Sequence, residues 1–108
     1  MNNKGFRDLK VYQESYALAM EIFQDSKKFP KEETYSLTDQ VRRSSRAVSA
    51  IIAEGYRKRK YPKKFALMMV DADGEASETM VHFDFALDCG YITIEKHKNY
   101  RIRYEEIR

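Results

Sequence analysis

Apolar residues recur at every third or fourth position along most of the chain, a spacing that predicts four amphipathic α-helices. The first helix is predicted over about residues 8–28, with Asp8 as its N-cap and Pro30 as its stop. Its apolar positions form two adjacent stripes: Leu9, Tyr12, Tyr16, Ala19 and Phe23, and beside them Val11, Leu18 and Ile22. This arc is wider than a surface helix requires, which indicates that part of it serves association.

The second predicted helix begins at Ser36, where Asp39 makes an imperfect capping box. Its predicted core stripe is Leu37, Val41, Ser44 or Ser45, Val48 and Ile52. The pattern leaves the end of this helix open, because either Gly55 caps it or the helix continues through Arg57.

The third predicted helix runs from Pro62, which suits the first helical position, to about Asp88, with Gly90 as its C-terminal cap. Its repeating positions are Phe65, Met69, Ala72, Ala76, Thr79 or Met80, Phe83 and Leu87. A weaker fourth helix begins near Thr93, and its apolar face carries Tyr100, Tyr104 and Ile107. It reaches Arg108 without a stop signal, so we expect the natural helix to continue. Together these segments predict one all-α domain over residues 1–108, an antiparallel up-and-down four-helix bundle.

The composition agrees with a folded helical domain in a reducing compartment. Of 108 residues, 43% are hydrophobic and 34% charged, and only four glycines and two prolines interrupt the helices. The single cysteine, Cys89, excludes an internal disulfide, so we expect a cytoplasmic protein. No apolar run reaches the ~20 residues of a membrane span, and the amino terminus lacks the apolar core of a signal peptide.

Several stretches of the chain resemble one known family. They are Phe6–Tyr12, Phe29–Glu33, Gln40–Arg46, Ile52–Arg59 and Phe83–Ile92, which follow one another in family-like order and spacing. The family is the four-helix-bundle group named after proteins encoded in intervening sequences of bacterial 23S ribosomal RNA genes. The resemblance covers nearly the whole chain and implies the same fold, a homopentamer and no enzymatic activity.

This family is related to the accessory protein of diversity-generating retroelements, a basic pentamer that engages nucleic acid and a reverse transcriptase. The resemblance therefore implies RNA or DNA as a partner, together with a protein partner. The chain departs from many relatives at Ile51, where they carry Asn, so any polar role of that amide is absent here.

A basic stretch is the strongest functional signal, because Glu54 is the only acid between residues 40 and 64. The candidate nucleic-acid-binding residues are Arg42, Arg43, Arg46, Tyr56, Arg57, Lys58, Arg59, Lys60, Tyr61, Lys63 and Lys64. Lysine and arginine neutralise phosphates and tyrosine stacks on unpaired bases, so this pattern predicts RNA or DNA binding. The alternatives are a solvated or salt-bridged face, and a protein adaptor or scaffold that binds no nucleic acid.

Helix three carries six acids with no lysine or arginine between them: Asp71, Asp73, Glu75, Glu78, Asp84 and Asp88. One of its faces carries Asp71, Glu75, Glu78 and His82. Carboxylate metal sites in bundles need Glu-x-x-His on two helices, so we expect no metal here. We expect these acids to pair with the basic face of helix two or of a neighbouring subunit.

Two charges on helix two, Arg43 and Glu54, flank Ala47 and Ala50 on one stripe. The small residues allow another helix to approach, so partial burial of both charges is expected, and simple exposure is the alternative. In a buried arrangement, Glu75 or Glu78 would face Arg43.

No catalytic motif is present in the sequence. Ser44, Ser45 and Ser49 have no histidine near them in sequence, and Asp88 beside Cys89 disfavours a thiolate. No glycine-rich phosphate loop occurs. We therefore predict a non-enzymatic protein without a cofactor.

Overall fold

A computed structural model describes residues 5–107 of the chain. Its helices are α1 (Lys10–Ser26), α2 (Leu37–Arg57), α3 (Pro62–Asp88) and α4 (Ile94–Ile107), with short 3₁₀ turns at Gly5–Asp8 and Lys31–Glu33. No strand occurs within this described range. The predicted all-α, four-helix architecture is therefore confirmed, while the predicted continuation at Arg108 lies outside the described residues.

The helices form a square in cross-section. Helix α2 packs against α1 and α3, and α4 packs against the same two helices from the other side. Consecutive helices are therefore neighbours throughout, which is the arrangement of an up-and-down bundle. None of the described helices is long and apolar enough to cross a bilayer.

Helix α2 supplies the centre of the core, and its predicted stripe is confirmed. Both serines in the uncertain position, Ser44 and Ser45, are fully buried. Their small side chains let helices approach closely, and their hydroxyls are satisfied. Thr79 on α3 lies 2.7 Å from Ser44 Oγ, and Ser15 on α1 lies 2.9 Å from Ser49 Oγ. Burying hydroxyl groups that are paired in this way costs little free energy, because each group retains a hydrogen bond.

Helix α1 buries only part of its wide apolar arc. Leu18, Ala19 and Ile22 enter the core, whereas Tyr16 is 53% exposed and Met20 is exposed beside it. The exposed part of the arc therefore includes Tyr16, which belongs to the first of the two predicted stripes. The face of α1 that carries Ser15 is the one that meets α2, because the small Ser15 side chain permits close helix contact.

The predicted N-terminal cap of α1 is wrong, whereas Ser36 occupies the predicted N-cap position of α2 but makes no side-chain hydrogen bond to the helix backbone. Asp8 ends the first 3₁₀ turn, and the extended residue Leu9 precedes α1. At α2 the Ser36 hydroxyl donates to Glu33 Oε1 at 2.6 Å, and the Leu37 N–H donates to the same oxygen at 3.3 Å. The Glu33 carboxylate therefore occupies the position where an anion stabilises a helix N-terminus.

The carboxyl ends of α2 and α3 agree with the sequence pattern better than the amino ends of the helices do. Helix α2 continues through Arg57, which settles the alternative that the sequence left open. Gly90 has a φ of +79°, and the Tyr91 N–H donates to the Ala86 carbonyl at 2.8 Å. This is a Schellman cap, as predicted for Gly90. At the start of α4 the Lys96 N–H donates to the Thr93 hydroxyl at 3.1 Å.

Candidate nucleic-acid interface

The structure divides the predicted basic residues into two groups along α2. One group, the corner cluster, comprises Tyr56, Arg57, Lys58, Arg59, Lys60, Tyr61, Lys63 and Lys64, where α2 ends and α3 begins. The other comprises Arg42, Arg43 and Arg46, which lie nearer the start of α2. At ~1.5 Å per residue, Arg46 and Arg57 lie about 16 Å apart along the helix. At 100° per residue they share one face of α2.

The corner cluster is built by a tight turn between two helices. The Tyr61 N–H donates to the Lys58 carbonyl at 2.9 Å, and Pro62 then begins α3. This turn brings cations from both helices to one corner of the bundle. All six are at least partly exposed, and only Lys58 is half-buried.

The two tyrosines of the corner cluster have different surroundings. The Arg59 guanidinium carbon lies 4.0 Å from the centre of the Tyr56 ring, and Arg59 Nη1 donates to the Tyr56 carbonyl at 2.9 Å. One face of Tyr56 is therefore occupied, and the ring positions a cation. Tyr61 is 68% exposed and makes no ring or cation contact within residues 5–107. Tyr61 is the ring that is available for stacking.

The corner cluster carries positive charge that no carboxylate of residues 5–107 neutralises through an ion pair. Within the described residues, no carboxylate forms an ion pair with any of its six cations. Such a surface attracts polyanions at long range, and it concentrates their phosphates when they arrive.

Arg42 and Arg46 converge on a side chain of α1 that the sequence pattern did not single out for this role. Their guanidinium carbons lie 4.8 and 5.7 Å from the centre of the Phe23 ring. Lys27 Nζ lies 4.7 Å from the same centre. The sequence placed Phe23 in an apolar stripe of helix one and offered no signal for the cluster, because its cations come from two separate segments of the chain.

Arg43 has a different environment from its neighbours. It pairs with Asp39 at 3.0 Å, and its side chain is 71% exposed. The expected partial burial of Arg43 and Glu54 is wrong, since both lie on the surface. The reason is that the stripe with Ala50 faces away from α1 and α3 in this chain.

The acids of α3 do not assemble a metal site among the described residues, where no group of three or more possible ligands occurs. Glu78 lies 3.9 Å from His82, and Asp84 lies 2.7 Å from His97. Within residues 5–107 no α3 acid pairs with an arginine of α2. The expectation that these acids pair with helix two of the same chain is therefore wrong. Cys89 is exposed and unbonded to any other cysteine.

Comparison with known proteins supports the resemblance. A family model described as 23S rRNA-intervening sequence protein matches residues 7–108. No curated protein matches the chain.

Proposed function

Since the chain belongs to the family of 23S rRNA-intervening sequence proteins, we propose that it is a non-enzymatic, homo-oligomeric bundle that binds RNA or DNA through the corner cluster. The observation that carries the proposal is the set of six cations that have no carboxylate partner in the part of the chain that the structure describes. Phosphates would supply the missing counter-charge. Each neutralised phosphate releases condensed counterions, which makes this kind of binding steeply salt-dependent.

The outward face of α3 supports self-association. Four exposed apolar side chains recur there at helical spacing: Leu67, Val70, Val81 and Phe85. Gly74 lies in the middle of this stripe, and nothing lies within 4 Å of the place where its Cβ would be. A second helix would find an apolar stripe here, interrupted by Glu78 and flanked by other acids of α3. The family resemblance implies five copies.

Light scattering tests this assembly. We expect a mass several times that of the 12.8 kDa chain at micromolar concentration. Val70→Ser with Phe85→Ser should lower that mass, while Tyr35→Ser should not, because Tyr35 is exposed on a different element. A monomer mass for the unaltered protein would contradict the proposal.

Binding is tested by titrating mixed RNA and DNA at several salt concentrations. Each lost phosphate contact should flatten the slope of log affinity against log salt by ~0.9 for duplex DNA and ~0.7 for single strands. We expect this flattening for Arg57→Gln with Arg59→Gln, since glutamine remains a good helix former.

The matched control removes the same charge elsewhere. Lys98→Gln with Arg101→Gln lies on α4, which does not contact α2, and it should leave the slope nearly unchanged. If the folded oligomer binds neither RNA nor DNA even at low salt, the protein-adaptor function replaces this proposal.

A further inference from the structure

Three cations surround one aromatic ring between α1 and α2. Lys27 Nζ, Arg42 Cζ and Arg46 Cζ lie 4.7, 4.8 and 5.7 Å from the centre of Phe23. We infer that these four residues, the seam cluster, form a binding site for a phosphate group. The inference goes beyond nucleic-acid binding at the corner cluster and does not depend on it.

Arg42 is held in place for this role. The buried Ser26 hydroxyl donates to the Phe23 carbonyl at 2.9 Å, so its oxygen is free to accept. Arg42 Nε donates to that oxygen at 2.8 Å. One edge of the guanidinium is thereby fixed, while its terminal nitrogens have no protein acceptor among residues 5–107. A guanidinium fixed in this way loses less freedom when it binds an oxyanion.

The seam cluster is also uncompensated by the described part of its own chain. No carboxylate within the described residues forms an ion pair with Lys27, Arg42 or Arg46. Because the three cations lie around the same ring, they repel one another across distances comparable to the Debye length, about 8 Å at physiological ionic strength. The ring face offsets part of this repulsion. A bound phosphate dianion would offset the remaining repulsion between the three cations.

Phosphate suits this arrangement better than a single carboxylate. It carries up to two negative charges near neutral pH, and its oxygens match the forked donors of arginine. The phosphate could belong to a nucleic-acid backbone or to a free phosphorylated molecule, and the two sources are separable by experiment.

The chain contains a matched control in Arg43, which lies beside Arg42 in sequence. It has the same charge, yet Asp39 neutralises it at 3.0 Å and it makes no contact with Phe23. Arg42→Gln and Arg43→Gln therefore change net charge equally, and only the first should damage the phosphate site.

The first arm of the test titrates inorganic phosphate against chloride at constant ionic strength, with NMR shifts of the Ser26 amide and Arg42 Nε–H as readout. We expect saturable shifts for the unaltered protein and for Arg43→Gln. In Arg42→Gln the Ser26 amide shift is followed instead. This variant should bind phosphate at least about tenfold more weakly, which is the loss expected for a hydrogen bond to a charged group. Arg57→Gln with Arg59→Gln should leave this arm unchanged.

The second arm titrates a single-stranded oligonucleotide. If inorganic phosphate does not bind but Arg42→Gln weakens oligonucleotide binding more than Arg43→Gln does, the phosphate comes from a nucleic-acid backbone. Phosphate binding without any oligonucleotide binding would retain this site while the proposed function failed. Equal effects of Arg42→Gln and Arg43→Gln in both arms, with both variants folded, would overturn the inference.

Discussion

Gly55 of α2 faces Met69 of α3 so closely that a Cβ atom on Gly55 would lie 2.6 Å from Met69 Cε. It would also lie 3.2 Å from Cβ of Met68. The methionine tip can move aside, but the Met68 Cβ moves only with the α3 backbone. The glycine therefore sets how closely α2 and α3 approach near the corner cluster.

Gly55→Ala should lower the free energy of unfolding by about 1 kcal/mol, because overpacking at the crossing outweighs the gain in helix propensity. Gly74→Ala is the matched variant, since its Cβ meets only open space in this chain. It should raise stability by ~0.5–1 kcal/mol when measured in the Val70→Ser, Phe85→Ser background, in which no neighbouring subunit covers Gly74. Urea denaturation measures both, and a stabilised Gly55→Ala would show that α3 adjusts freely.

Ile51 is half-buried and packs against the core next to the fully buried Ile52. Ile51→Asn should lower the free energy of unfolding by roughly 1–3 kcal/mol, because the new amide loses water without a fixed partner. Ile52→Asn should lower the free energy of unfolding further, since the Ile52 side chain is only 3% exposed. A neutral Ile51→Asn in the same denaturation experiment would mean that a polar partner is present.

The attachment of α4 to α1 should depend on pH through Glu21. Burial raises the pKa of this carboxyl, but hydrogen bonds from Lys96 and Arg103 outweigh it, so the net pKa lies below its usual value. Lys96 Nζ and Arg103 Nη1 approach Glu21 at 3.0 and 2.6 Å. Stability from a lowered pKa is present above the unfolded value, near 4.3, and is lost as pH falls through the folded value.

Denaturation of the unaltered protein and Glu21→Gln between pH 6 and 3 tests this dependence. Between pH 6 and 3, the free energy of unfolding should fall further for the unaltered protein than for the variant. The difference should stay below about 1 kcal/mol, because the ion pairs of Glu21 are partly exposed. Identical pH profiles would mean that the ion pairs contribute nothing.

Tyr61 should favour single strands over duplexes. Tyr61→Leu removes an exposed ring beside Lys60, Lys63 and Lys64, and stacking contributes ~1–3 kcal/mol per base in single-strand binding. We expect roughly a fivefold or greater loss for single-stranded oligonucleotides and little loss for duplexes. Fluorescence anisotropy with both ligands measures the difference.

Two variants control for that result. Tyr61→Phe should keep single-strand affinity, because the ring is retained. Tyr35→Leu removes a ring that is 95% exposed but distant in sequence from the cations of the corner cluster, and it should change neither affinity. Equal losses for both ligands in Tyr61→Leu would assign Tyr61 a merely structural role.

Features that depend on neighbours in sequence were predictable from the sequence alone. The number of helices, the core stripe of α2 and the cap at Gly90 follow from helical periodicity and from local backbone geometry. The clustering of Arg57 to Lys64 at one corner follows from the turn before Pro62. Helix capping by Glu33 was missed, because the pattern pointed to Ser36 itself.

Features that depend on partners from another helix required the tertiary structure. Helix α1 offered two adjacent apolar stripes, and only the packed structure showed which residues are buried: Leu18 and Ile22 of one stripe and Ala19 of the other. They lie on the side of α1 where Ser15 packs against Ser49. Arg42 and Arg43 were both candidate nucleic-acid-binding residues in the sequence, yet only Arg42 reaches Phe23 and Ser26 on α1. The physical reason is that periodicity determines which face a residue occupies, whereas charge partners and ring contacts depend on how two faces are brought together.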